Sequence, residues 1–108
     1  MLTSPSHWQP LIQSATDEAA VIAIVRDYVD SWTSEELLAI PPQCRPGRIR
    51  DREDVCDWAV VLAREELKAK PPEIGAHLLD HLATVFKEAA ARLTQLALES
   101  RPPGHEAQ

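Results

Sequence analysis

Four arginines, Arg45, Arg48, Arg50 and Arg52, fall within eight positions of a 108-residue chain whose formal net charge is −6. A guanidinium is permanently charged, and its planar fork matches carboxylate or phosphate. Segment 43–52 holds four bases and one acid, whereas residues 1–42 hold one base and six acids, and residues 53–108 six bases and ten acids. Such a basic island serves either as an internal clamp or as a docking point. The clamp would use Asp51, Glu53, Asp54 and Asp57 nearby, with Asp27, Asp30, Glu35 and Glu36 across one end of the fold. The docking point would take an acidic protein partner or a small anion. Nucleic acid is disfavoured, because the acidic flanks repel phosphates and no helix-turn-helix with a basic recognition helix is visible.

A second group is His77-Leu78-Leu79-Asp80-His81. Two imidazoles one helical turn apart can reach one zinc ion. Over these five residues the chain resembles the His-x-x-Glu-His arrangement of inverzincin metalloproteases, with Asp80 in place of the glutamate. In the heptad register set by Leu79, however, both histidines face outward. They are expected to be solvated surface residues, and no metal centre is assigned; His77 and His81, with Glu73 a turn earlier, are the sole metal candidates.

Cys44 stands beside Arg45, and a positive neighbour lowers a thiol pKa, so it is the candidate reactive thiol. No histidine lies near it in sequence to act as its base. Cys56 is expected to be a small core hydrophobe. Two cysteines twelve apart, without Cys-x-x-Cys spacing, form neither a disulfide framework nor a zinc site by themselves; reduced thiols in the cytoplasm are expected. There is no glycine-rich phosphate loop and no nucleophile elbow.

The residues therefore describe a small non-catalytic binding or regulatory module acting through protein–protein contact, with no cofactor implied. Its contact surfaces would be the loop 43–52 and the exposed end of the last helix. The alternatives are a small metal- or thiol-dependent enzyme using His77/His81 or Cys44, and a nucleic-acid-associated regulator.

These groups need elements to position them. Asn is absent, glycine occurs three times, and Ala and Leu are frequent, a mixture that favours helices over hairpins. Residues 1–15, with Pro5 and Pro10, read as a loosely structured segment in which Trp8, Leu11 and Ile12 form at most a short docking turn. Thr16-Asp17-Glu18 marks a helix start, with a hydroxyl as cap and two acids at the positive dipole end. Val21, Val25, Tyr28 and Trp32 then define one apolar stripe, so a helix is expected over 17–31. Thr33 and Glu36 form a capping box for a short helix over 34–40, ended by Pro41-Pro42. Pro46-Gly47 suits the centre of a type II turn. Asp51 caps a helix over 51–69, buried through Val55, Trp58, Ala59, Leu62 and Ala63. Lys70-Pro71-Pro72-Glu73 breaks and restarts the chain. The last helix, 73–100, carries Leu79, Leu82, Phe86, Ala89, Leu93 and Leu96 at alternating spacings of three and four, flanked by Leu78, Val85 and a stripe of Ala83, Ala90 and Ala97. So wide a stripe buries against two neighbours. Residues 101–108 read as a disordered tail.

The fold class is therefore an all-α bundle of three main helices plus a short one, in one domain over 16–100. The last helix, about 42 Å long, outruns its neighbour of about 28 Å. Its overhang at Leu93–Ala97 must be covered by Leu37, Leu38, Ile40 and Ile49 or by a second copy, so the protein is a monomer or a homodimer through the C-terminal helix. No apolar run spans a bilayer and the N-terminus lacks the pattern of a signal peptide, so no membrane association is expected. Eight arginines against three lysines, with abundant Ala and Pro, accord with a GC-rich bacterial genome.

Overall fold

The computed structural model describes residues 5–68 and 76–99. In chain order these form α1 (Pro5–Ser14), α2 (Glu18–Asp30), α3 (Ser34–Leu38), a 3-10 turn at Pro42–Cys44, α4 (Arg52–Lys68) and α5 (Ala76–Glu99). No strand occurs among the described residues, and the architecture is the expected all-α bundle. No described helix is long and apolar enough to cross a membrane. The break at Pro71-Pro72, Glu73 and the tail 101–108 lie outside the described residues.

Short acceptor side chains set the helix starts. Asp17, rather than Thr16, is the cap of α2: its carboxylate accepts the Ala20 N–H at 2.8 Å, and Glu18 becomes the first helical residue. The capping box of α3 is complete, with Thr33 Oγ1 accepting the Glu36 N–H at 3.1 Å and Glu36 Oε1 accepting the Thr33 N–H at 2.9 Å. Asp51 accepts the Asp54 N–H at 3.1 Å and so caps α4.

The segment expected to be loose is a ten-residue helix. Pro5 occupies the first helical position, where its missing N–H breaks no intrahelical bond. Pro10 is mid-helix and removes one bond, yet the helix persists because Trp8, Ile12 and Ala15, spaced four and three apart, are buried in the core. Trp8 meets Tyr28 edge to face, with ring centroids 5.3 Å apart. At the other end of α1, Arg92 Nη2 of α5 donates to the Ala15 carbonyl at 2.7 Å and Nε does so at 3.1 Å. Since Tyr28 also bonds His81 near the start of α5, α1 runs parallel to α5, while α2 and α4 run antiparallel to it.

This placement resolves the overhang. Helix α1 packs along α5 and α2, and Leu93 is buried. Ile40 and Ile49 are buried as well, but Leu38 stays 71% exposed and covers nothing. Leu96 and Ala97 are half-buried and, with Thr16, Asp17, Glu18, Arg52 and Leu93, line an open hollow of about 250 Å³ at that end. One continuous core joins Trp8, Ile12, Val21, Val25, Tyr28, Val55, Leu62, Leu82, Val85, Phe86 and Leu93.

Leu82 and Phe86 are sealed in this core. Their replacement by Ala leaves a void that close-packed neighbours fill only in part, so each should cost ~2–5 kcal/mol. Urea titrations followed by circular dichroism measure it; midpoints matching wild type for both variants would mean that the α5 stripe is not the core.

Candidate functional site

Between the 3-10 turn and α4, residues 46–50 form neither helix nor turn. They carry the chain back from the Glu65 level of α4, where Gln43 Nε2 approaches Glu65 Oε2 at 3.5 Å, to the start of α4 at Arg52. About seven extended residues span the ~20 Å that thirteen helical residues cover, so the segment lies as a strap along the helices. Cys44 and Ile49 are its buried anchors. The expected type II turn at Pro46-Gly47 is absent: Gly47 does not adopt positive φ, and a Cβ there would meet nothing within 4 Å. A reversal would carry the chain away from α4, whereas both anchors hold it along the bundle.

An extended strap has carbonyls that no ladder satisfies. Arg26, the only base in residues 1–42, supplies two of them: Nε donates to Ile49 O at 2.5 Å and Nη2 to Arg50 O at 3.1 Å. The four strap arginines divide by role. Arg45 points inward, donating from Nε to Leu37 O in the last turn of α3 at 2.7 Å and from Nη2 to Ile40 O, just beyond that helix, at 3.1 Å. Arg50 pairs with Asp54 at 3.1 Å, and this hydrogen bond holds the Asp54 carboxyl below the usual range and raises Arg50. Arg52 reaches Glu18 at 3.8 Å, both largely exposed. Arg48 is exposed and has no partner among the described residues. Of the acids expected to form a clamp only Asp54 is engaged, by Arg50; Arg52 meets Glu18 instead, Arg45 turns to backbone carbonyls, and Arg48 has no partner among the described residues.

Arg48 and Arg26 line one cleft of about 270 Å³ with Val29, Asp30, Gly47 and Ile49. Arg26 faces it without an acidic partner, its bonds going to neutral carbonyls. Two guanidinium groups and one carboxylate line the cleft, and Gly47 leaves its wall without a side chain. Sequence reading missed Arg26; its signal was a lone base on the polar face of an acidic helix.

No protein-family model, no curated protein and no solved structure matches this chain.

The other sequence candidates sit elsewhere. His81 is not a solvated surface residue: it is half-buried, and its Nδ1 lies 2.6 Å from the Tyr28 hydroxyl with the two rings 6° from parallel. Burial pushes that hydroxyl well above the ordinary phenol range, with Trp32 beside it opposing and Glu36 adding to the rise. Tyr28 therefore remains protonated and can donate to a neutral imidazole. The heptad register placed His81 outward because it describes one seam, whereas α5 packs on α1 and α2 along one flank and α4 along the other. His77 lies in the first turn of α5, and its side chain is outside the described set. Among the described residues no three His, Cys, Asp or Glu groups converge to hold a metal.

Cys44 is sealed, and its thiol is raised rather than lowered, first by burial and then by the Glu65 charge. Its sequence neighbour Arg45 turns its guanidinium to Leu37 and Ile40 instead. Cys56 is half-buried on α4, outside the core.

Two outcomes follow from these placements. Arg45→Ala should cost ~1–3 kcal/mol, because charge-assisted bonds to two carbonyls are lost, while Arg48→Ala should stay within ~0.5 kcal/mol. Parallel denaturation curves compare them; equal midpoints would contradict the division of roles. Iodoacetamide at pH 8 should label Cys56 while Cys44 reacts at least ~100-fold more slowly until denaturant is added, since only a solvent-reached thiolate is alkylated. Peptide mass mapping over time reads both sites at once.

Proposed function

We propose that this protein is a non-catalytic, cytoplasmic helical binding module that docks an acidic protein segment in the cleft between Arg26 and Arg48. The observation that carries this reading is the unpartnered Arg48 guanidinium beside an Arg26 bonded only to neutral carbonyls, on an open wall at Gly47. Charge-assisted bonds from a planar guanidinium to a carboxylate are among the stronger polar contacts a surface can offer. Arg26 is already immobilised by the strap, so little side-chain freedom is lost when a carboxylate arrives. Asp30 on the same cleft supplies an acceptor for a backbone N–H of the bound segment. Two hydrophobic residues, Val29 and Ile49, give the cleft an apolar component.

The acidity of the rest of the chain supports a protein partner over nucleic acid. The helices beside the strap carry Asp27, Asp30, Glu53 and Asp57, which repel any long polyanion running past the cleft, so the cleft suits one or two carboxylates of a short segment better than a phosphate backbone. The burial of Cys44 and its raised thiol weigh against a thiol-dependent activity at that residue.

A short capped peptide carrying two adjacent glutamates, titrated into the labelled full chain at about 50 mM salt, should shift the amide signals of Gly47, Arg48 and Ile49. Arg48→Glu should abolish the shifts without changing the melting temperature. Raising the salt to about 300 mM should weaken binding several-fold, as screening requires for exposed charges. Shifts of equal size in Arg48→Glu, or none in wild type at millimolar peptide, would rule the cleft out as an acidic-segment site.

A further inference from the structure

Helix α4 presents to solvent a face that its own fold does not use. Its buried stripe is Val55, Ala59 and Leu62. Opposite that stripe, within an arc of about 120° at 100° per residue, stand Glu53, Asp57, Val60, Val61, Arg64, Leu67 and Lys68. All seven are exposed, and three of them are among the six large exposed hydrophobics of the described residues: Val60 at 51%, Val61 at 36% and Leu67 at 88%. Glu53, Asp57 and Arg64 have no hydrogen bond or ion pair among the described residues. Lys68 makes only a 3.6 Å contact to Glu65 and remains largely exposed.

The order of these residues is self-complementary. About the midpoint between Val60 and Val61, position 53 maps onto 68 and position 57 onto 64. Each exposed acid of the first half thus maps onto an exposed base of the second. When two copies of such a helix pack antiparallel about a two-fold axis through that midpoint, Glu53 meets Lys68 of the second copy and Asp57 meets Arg64 of the second copy. Symmetry repeats both pairs, giving four, and Val60 and Val61 of both copies form the centre. A two-fold contact requires this kind of patch, complementary to itself. Parallel pairing would place like charges opposite one another, so the charges select the antiparallel register.

The helix dipole favours acids early and bases late in any helix, and that accounts for the order of the charges. It does not account for three exposed apolar side chains set among them. A monomer gains nothing from Val60 and Val61 in water, whereas the centre of an interface gains from covering such groups, with Leu67 flanking the outer 53–68 pair.

We infer that this protein forms an antiparallel homodimer through the outer face of α4, not through the C-terminal helix that sequence length alone suggested. The seventeen-residue helix is about 25 Å long and about 10 Å wide, so one face offers on the order of 250 Å². That is less than a standard interface of ~800 Å² per partner, so the dimer is a weak one, with a dissociation constant on the order of tens of micromolar. The contact uses none of the Arg26–Arg48 cleft, and Arg48→Glu leaves it intact.

Sedimentation velocity of the full chain from about 5 to 500 µM tests this. Wild type should move reversibly from monomer mass toward dimer mass. Arg64→Glu/Lys68→Glu and Glu53→Lys/Asp57→Lys should each stay monomeric, because each sets like charges against one another. Mixing the two variants in equal amounts should restore a dimer, now a heterodimer, at close to the wild-type midpoint. Circular dichroism confirms that each variant is folded. Should either fail to fold, Val60→Cys carries the test, since residue 60 lies beside the axis: oxidation should cross-link two copies through position 60, and Leu38→Cys should not cross-link. A wild type that stays monomeric at 500 µM, charge variants that dimerise as wild type does, or a mixture that stays monomeric would each overturn the inference. So would a Val60→Cys protein that cross-links no faster than Leu38→Cys.

Discussion

The hold of Arg26 on the strap is the constraint on which the site depends. Ile49 and Cys44 anchor the strap by burial, but burial alone leaves the carbonyls between and beyond them without donors. An extended strand normally meets that need through a neighbouring strand. None is present among the described residues, and the side chain of one arginine on α2 takes its place at Ile49 and Arg50. With those carbonyls fixed, the direction of each neighbouring side chain follows: Ile49 inward, Arg48 and Arg50 outward. The cleft is therefore a by-product of the way the strap is fastened, and Arg26 is both its fastening and its wall.

The same residue type does three physical jobs within a few residues. Arg45 closes the open end of α3, Arg50 and Arg52 join neighbouring carboxylates, and Arg48 is left to solvent. A guanidinium fork accommodates two carbonyls as readily as one carboxylate, so the number of acids nearby is a poor guide to where an arginine ends up. Charge counting along the sequence identifies the basic island and cannot divide it. The division comes from where α3 stops and from which carbonyls that leaves bare.

Much of the frame is legible from local chemistry. Caps at Asp51 and Thr33, the stripe through Val21, Val25, Tyr28 and Trp32, and the seam of α5 all depend on spacing within a few turns, and all are present. What was misread depends on contacts between distant parts. Helix α1 carries two prolines, and it is helical only because Trp8 and Ile12 find Tyr28 and α5. His81 looks outward in one seam and turns inward once α1 and α2 occupy the flank. Cys44 has an arginine beside it in sequence and a glutamate beside it in space, so its thiol moves opposite to what the neighbour implied. At Pro46-Gly47 a strong local turn signal gives way to two buried anchors. Local preference of that kind is worth about a kilocalorie, less than burying an isoleucine.

The two surfaces differ in what holds them ready. The Arg26–Arg48 cleft is built on a strap held by two buried anchors and by the bonds from Arg26, with the Arg48 side chain left exposed. The outer face of α4 is backed by Val55, Ala59 and Leu62 in the core and by the long antiparallel contact with α5, so its charges keep their spacing. A register read by ion pairs at positions 53, 57, 64 and 68 needs that stiffness, because a one-residue slip turns the charges by about 100° and separates them. Recognition of a flexible acidic segment makes no such demand. The two proposed contacts thus make different physical demands, a free guanidinium for an acidic segment and a fixed helix face for a second copy.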